Sequence, residues 1–190
     1  MKSCFTCSTE ELKAEGYDYT RLMVGIAGAY GVGKTYALCV MVIIFLYQHG
    51  VADTRHTAKG TIVSGSQGQL RTVICAELAR VLKDSPFAEH ISATRTMVRC
   101  THNEDVFVRM IVCNERNPDS FSGMHASRFF CAFDEGTAIP DDAYKLAFNA
   151  STPPVGQTHN EDSRFFWVVT GNPTTTGGAF HKLFEDPAWL

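Results

Sequence analysis

Three short blocks of this sequence carry residue types whose spacing amounts to chemistry. Gly28-Ala29-Tyr30-Gly31-Val32-Gly33-Lys34-Thr35 fits the pattern G-x-x-x-x-G-K-S/T without a mismatch. Average residue usage gives a random chain of this length about a 1% chance of showing that pattern, so a Gly-rich turn with an exposed lysine is a poor account of it. The chemistry is triphosphate binding. Backbone N–H groups of the loop and of the helix it opens converge on phosphate oxygens, and the glycines permit close approach. Lys34 reaches the β and γ phosphates as a point charge, and the Thr35 hydroxyl ligates Mg²⁺. The second block is the apolar run Phe129-Phe130-Cys131-Ala132-Phe133 followed by Asp134-Glu135. It places two carboxylates at the C-terminal end of a buried strand, where open α/β sheets bind ligands. Asp134 suits Mg²⁺ held through its water shell. Glu135, one residue on, suits polarising an attacking water, which points to hydrolysis rather than transfer to a small molecule. The third block is Gly171-Asn172-Pro173-Thr174, directly after the apolar run 165–170. A strand ending in a polar residue beside the γ-phosphate can sense it. Asn172 could donate to the phosphate or hold the lytic water, while Gly171 and Pro173 shape a turn that relays the change.

Hydrolysis also needs a further cation for the charge that develops in the transition state. Arg71, Arg95, Arg99, Arg109, Arg116 and Arg128 are all available, and spacing does not choose among them. Arg71, one turn into a helix, and Arg116, shortly before the acidic strand, are the two favoured. Two other constellations are weaker. Cys4-x-x-Cys7 has the spacing of half a zinc site, but no second pair completes it. The pentapeptide Thr-His-Asn-Glu-Asp occurs at 101–105 and again at 158–162, each time before a strand, where polar turn residues need no metal.

These blocks require a sheet whose strand ends lie side by side. Apolar runs of strand length at 22–27, 61–64, 106–112, 128–133 and 165–170 alternate with helical patterns, the sequence form of a parallel sheet with helices on its faces. The stretch 36–47 is apolar on every face, which suits a core helix, and Gly50 is its expected stop. Twelve residues as a helix span about 18 Å, short of a hydrocarbon layer of about 30 Å, so no membrane is expected. Leu70, Val73, Ile74, Leu78, Val81 and Leu82 recur at helical spacing, with Ser66 and Gln69 as a capping box. A third helix is expected from Asp141 after Pro140, carrying Ala143, Leu146, Ala147 and Ala150, and a short last one through Phe180 and Leu183 after Gly177-Gly178. The polar opening, 1–20, reads as a lead-in, and the stretch 151–163 as a long loop. At least two expected strands separate the phosphate loop from the acidic pair, which fits the branch of P-loop proteins with an added strand and a catalytic glutamate.

Composition sets outer bounds. A chain of 190 residues with 45% apolar and 19% charged residues can build one ordinary domain. Its formal charge of -3 argues against a protein that passively coats DNA, without excluding a local basic groove. Seven cysteines, several inside apolar runs, read as reduced thiols rather than a disulfide framework; Cys39, Cys75, Cys113 and Cys131 look like small core residues.

The ordered blocks resemble a known family. Gly28 to Thr35, then Asn117-Pro-Asp-Ser-Phe121-Ser-Gly123-Met-His125-Ala126, then Phe133-Asp-Glu-Gly-Thr-Ala-Ile-Pro-Asp141, then Gly171-Asn-Pro-Thr-Thr-Thr-Gly177 are similar to the ATPase domain of large terminase subunits, the DNA-packaging motors of tailed bacteriophages. The likeness runs from about Leu22 to Phe184. It implies a P-loop NTPase three-layer sandwich over 21–190, with a mainly parallel sheet of the additional-strand, catalytic-glutamate type. It implies ATP and Mg²⁺ served by Lys34, Thr35 and Asp134, a lytic water served by Glu135, and coupling to DNA movement through Gly171 to Thr174. His125 matches a family position. The same likeness implies double-stranded DNA as the track, a ring of several copies, five by the family's habit, on a capsid portal, and a small terminase subunit as helper. The setting would be the host cytoplasm. Where some terminases carry an arginine in the loop this chain has Ala29 and Tyr30, which favours a finger from a neighbouring subunit. The chain stops soon after the coupling block, so no nuclease is expected and a fragment or split product is the expectation. Two other uses of the same blocks stay open: a helicase- or recombinase-like DNA-dependent ATPase, and a nucleotide-dependent assembly module with little turnover.

Overall fold

The apolar runs that the sequence marks as strands pack side by side at the centre of one sheet. The computed structural model describes residues 21–83, 85–113, 124–150 and 163–185. Its strands are β1 (Arg21–Ala27), β2 (Ala58–Ser64), β3 (Ile91–Ala93), β4 (Met97–Cys100), β5 (Phe107–Val112), β6 (Arg128–Asp134) and β7 (Arg164–Gly171). Their order in space is β1-β7-β6-β2-β5-β4-β3. The five strands from β1 across to β5 run parallel, and β4 and β3 add an antiparallel edge. Five strands fall where the apolar runs place them, within three residues at each end. The edge pair β3 and β4 is not foreseen by those runs. These strands are three and four residues long and mix exposed polar with buried positions, so they carry no unbroken apolar stretch.

Strand β6 is buried along its whole length, as a strand covered on both faces must be. Its side chains alternate between two cores. Phe130 and Ala132 join the residues of α1 (Lys34–Tyr47) and of α2, the helix over 67–83 that follows β2, on one face. Phe129, Cys131 and Phe133 join those of α3 (Asp141–Ala150) and α4 (Ala179–Glu185) on the other. The result is helix, sheet, helix: a three-layer sandwich.

Helix α1 does not stop at Gly50. A wide π turn, Gln48–Ala52, carries it on, so the helix runs over 19 residues, Lys34–Ala52, with mean hydropathy 1.6. Length alone therefore does not separate it from a membrane span; its packing says what its apolar faces do, since Leu38, Val42, Phe45 and Leu46 are fully buried against the sheet. Gly50 serves contact rather than termination. A Cβ there would lie 2.7 Å from Cys100 Sγ in β4.

Helix α2 is built from three consecutive pieces, Gln67–Gln69, a π turn Leu70–Ile74, and Cys75–Lys83. Leu70, Ile74, Leu78 and Leu82 are buried as the periodicity requires. Val73 is 38% exposed instead, because the wide turn shifts the phase of the helix at that point. Ser66 caps α2 as expected, its Oγ accepting from the Gln69 N–H at 3.1 Å. The other half of the capping box is not formed, for a reason that belongs to the site.

Residues 101–105 form a turn, in which Asn103 Oδ1 accepts from the Asp105 N–H at 3.1 Å. Cys39, Cys100, Cys113 and Cys131 are buried free thiols and Cys75 a half-buried one; burial pushes the Cys131 thiol up to about 12. The lead-in 1–20 with Cys4, Cys7, Tyr17 and Tyr19, the segment 114–123, and most of the 151–163 loop with the second pentapeptide lie outside the described residues.

Candidate functional site

Strands β1, β7 and β6 are neighbours, and their C-terminal ends deliver the three blocks to one place. The added strand is β7. It lies between β1 and β6 in space although it follows both in the chain. Sequence separation between the phosphate loop and the acidic pair is therefore the wrong measure; the insertion is spatial. The Gly28 N–H donates to Gly171 O at 3.1 Å, so the loop and the Asn172 turn leave the sheet together.

Gly31 and Gly33 adopt φ values of 79° and 85°, a left-handed conformation costly for residues with a Cβ. Helix α1 then begins at Lys34 with no side chain capping it, so its first backbone N–H groups and its dipole face the loop. Lys34 is drawn in rather than waving in solvent. It is 8% exposed, and its Nζ donates to Gly28 O and Ala29 O at 2.9 Å and to Asn172 Oδ1 at 2.8 Å. Tyr30 and Val32 stand out on the loop, exposed.

Asp134 is 1% exposed and meets three donors. Thr35 Oγ1 and Thr170 Oγ1 approach its Oδ1 at 3.3 and 3.2 Å, and Gln69 Nε2 approaches its Oδ2 at 3.0 Å. That last contact is why the capping box is half formed: the Gln69 side chain crosses to the acidic strand instead of returning to its own helix. Glu135 follows in a left-handed conformation, φ 54°, the one described non-glycine residue with positive φ. Its Oε2 accepts from Asn172 Nδ2 at 3.4 Å. Burial pushes the Glu135 carboxyl above the usual glutamate range and the Asp134 charge adds to this, while Lys34 and a hydrogen bond from Asn172 pull the other way. One amide thus joins the lysine to the glutamate: its oxygen accepts from Lys34 and its nitrogen donates to Glu135.

Lys34, Thr35 and Glu135 line a cleft of about 740 Å³ together with Gln69, Val73 and Glu77 among others, while Asp134 and Asn172 are buried behind them. That volume lies within the usual range of ligand pockets, about 300–1,000 Å³. The residues fit a magnesium nucleotide. Left-handed glycines and helix N–H groups suit phosphate oxygens, and the Thr35 hydroxyl and Asp134 carboxylate are hard oxygen donors already in contact. Magnesium typically takes one or two protein oxygens and completes its shell with water and phosphate.

The arginines are mostly elsewhere. Arg71 is exposed on α2 and does not line the cleft; Gln69, Val73 and Glu77 are the α2 residues that do. Arg71 lies two positions beyond Gln69 on the same helix. Arg128 starts β6, at the opposite end of the strand from Asp134, roughly 20 Å away. Arg95 and Arg99 are exposed near the antiparallel edge, and Arg109 Nε faces Met124 Sδ at 3.1 Å. Arg116 lies outside the described residues, as does 117–123, whereas His125 is described and exposed. Among the described residues Lys34 is the one cation lining the cleft. Pro173 and Thr174 sit exposed on the turn beyond Asn172.

Sequence reasoning misses three contributors: Gln69, read as a cap; Thr170, read only as the end of a strand; and Tyr144, whose hydroxyl donates to Gly136 O at 2.9 Å and so pins the turn after Glu135. A hydroxyl ending an otherwise apolar strand is the available signal for Thr170.

No protein-family model matches the chain, and no curated protein matches it either. Solved structures do. The large terminase of a thermophilic bacteriophage superimposes with a TM-score of 0.60 at 19% identity, over 86% of this chain and 38% of that one. A structure of the same terminase in complex with ADP gives 0.54 at 17% identity, over 86% and 37%. The large terminase ATPase domain of a Thermus phage gives 0.52 at 16% identity, over 93% and 73%. The chain thus spans little more than a third of the length of the large terminase chain it matches. At these identities the likeness is one of fold: the chain has the α/β three-layer sandwich fold of P-loop NTPases, with β7 as the additional strand between β1 and β6.

Proposed function

We propose that this chain is the ATPase module of a large-terminase-type packaging motor, hydrolysing ATP with Mg²⁺ to drive double-stranded DNA into a viral procapsid. The observation that carries the reading is that Lys34, Thr35, Asp134, Glu135 and Asn172 meet at three adjacent strand ends, joined by hydrogen bonds, beside a cleft that Lys34, Thr35 and Glu135 line. The fold shared with large terminases, one of them also solved with ADP, supports it.

In this reading the loop N–H groups and Lys34 bind the triphosphate, and Thr35 with Asp134 holds the metal. Bound Mg²⁺ supplies charge neutralisation on the phosphate oxygens. Glu135 orients the attacking water and accepts its proton, a step helped by a carboxyl whose proton affinity burial has raised. Asn172 joins Lys34 to Glu135, so a phosphate that draws the Lys34 charge changes what Asn172 holds. Gly171, Pro173 and Thr174 carry that change towards α4 and the DNA. The DNA would be held by its phosphates rather than read by its bases. The working assembly would be a ring, five copies in the family pattern, on a capsid portal in the host cytoplasm, with a small terminase subunit. An arginine from a neighbouring copy would supply the second cation.

The test is ATP turnover with and without duplex DNA, for wild type and Glu135→Gln. The variant is expected to lose about 10²- to 10⁴-fold in turnover while still binding ATP, and duplex DNA is expected to stimulate the wild type. Equal slow turnover by both proteins would overturn the catalytic assignment and favour an assembly module. Stimulation by single strands alone would favour a helicase-like enzyme.

A further inference from the structure

We infer that Gln69 is a positioning residue for Asp134, setting the affinity of the metal site and tying the first turn of α2 to its occupancy. The inference rests on the nucleotide reading above and goes beyond it. The carboxylate of Asp134 is buried, and two of its three donors, Thr35 and Thr170, share Oδ1. Gln69 Nε2 serves Oδ2 at 3.0 Å. A carboxylate oxygen only accepts, so the amide must present its nitrogen there. Without that donor a buried charged oxygen loses its partner, and the plane of the carboxylate loses the constraint that keeps Oδ1 on Thr35.

Gln69 is itself held from behind. Its N–H donates to Ser66 Oγ at 3.1 Å, and the Ser66 carbonyl accepts from the Leu70 N–H at 3.2 Å and from Ser64 Oγ at 3.4 Å. Ser64 is the register partner of Asp134 in the β2–β6 pairing. The bonds close a ring: strand end, cap, glutamine, carboxylate, neighbouring strand end. A residue serving only as a cap would turn its amide back to the Ser66 N–H; this one spends it on the acidic strand. The π turn Leu70–Ile74 begins at the next residue, and such wide turns occur frequently at functional sites. Val73, on that turn, and Glu77, beyond it, line the same cleft.

The experiment compares wild type with Gln69→Met, a side chain of similar length without the donor, in binding a fluorescent ADP. Affinity is measured in EDTA and across a magnesium titration. The substitution is expected to raise the magnesium concentration for half-effect by about 10- to 100-fold, the usual cost of losing an outer-shell partner, with EDTA affinity within about twofold of wild type. An unchanged magnesium requirement would overturn the inference. So would an equal loss of affinity with and without magnesium, which marks local unfolding rather than positioning. Wild-type protein that binds no ADP in either condition would reject the nucleotide reading itself, a distinct outcome.

Discussion

Glu135 concentrates two costs in one residue. Its left-handed backbone, φ 54°, costs a non-glycine residue about 1–2 kcal/mol, and its carboxyl sits where burial disfavours the charge. Such costs persist where the position matters for chemistry. Glu135→Gly should therefore be more stable than wild type by about 1 kcal/mol in urea denaturation, and inactive; a less stable variant would show that the conformation is not strained. The pH dependence has a definite sign. Turnover that needs the ionised carboxyl falls as pH drops through a pKa raised above the ordinary glutamate value. The folded state, by the same shift, prefers the neutral acid: its contribution to stability is present below the unfolded pKa and lost as pH rises through the folded one. Glu135→Gln should thus gain stability near neutral pH relative to wild type, with the gain fading in acid. A gain that grows in acid would contradict the direction of the shift.

Among the elements, α3 links the acidic turn to the helix that follows the Asn172 turn. Tyr144 stacks on Phe133 with ring centroids 4.4 Å apart and planes 9° from parallel, and its hydroxyl holds Gly136 O. At the start of the same helix, Asp141 Oδ1 accepts from the Ala179 N–H at 2.7 Å and caps α4. The Asp141 of the family-like block thereby keeps the element beyond the Asn172 turn in step with the turn after Glu135. Asp141→Ala should cost about 1 kcal/mol of stability, the usual value of a lost cap. Its denaturation midpoint is the check, and an unchanged midpoint would mean that the bond contributes nothing net. Helix α2 illustrates the limit of periodicity. Its buried stripe is legible, but the π turn that moves Val73 to the cleft leaves no mark in the pattern of apolar residues.

For the whole molecule, the sheet order decides the site. Placing β7 between β1 and β6 brings Asn172 between the phosphate loop and the acidic pair, and it leaves the cleft with Lys34 as its one described cation. If a neighbouring copy supplies the second, ATP turnover per protein should rise with protein concentration, giving a rate steeper than first order. Strictly proportional rates down to high dilution would place the cation within the same chain, with Arg116 first in line. The formal charge of -3 confines any DNA contact to a local surface rather than a basic coat, so turnover stimulated by DNA should be sensitive to salt.

By itself the sequence determined which residues meet at the site and the layers that carry them. The glycines of 28–33, Lys34-Thr35, Asp134-Glu135 and Asn172 are local signals, because phosphate loops, buried strands and tight turns each demand particular residues within a few positions. Burial of β6 on both faces was legible for the same reason: a strand covered twice has no polar side chain to show. Tertiary structure alone decided which strands adjoin, that Gln69 leaves its cap for Asp134, and that Gly50 meets Cys100. Each of these depends on residues far apart in the chain meeting in space, and their free energy is realised only once the sheet has closed up around them.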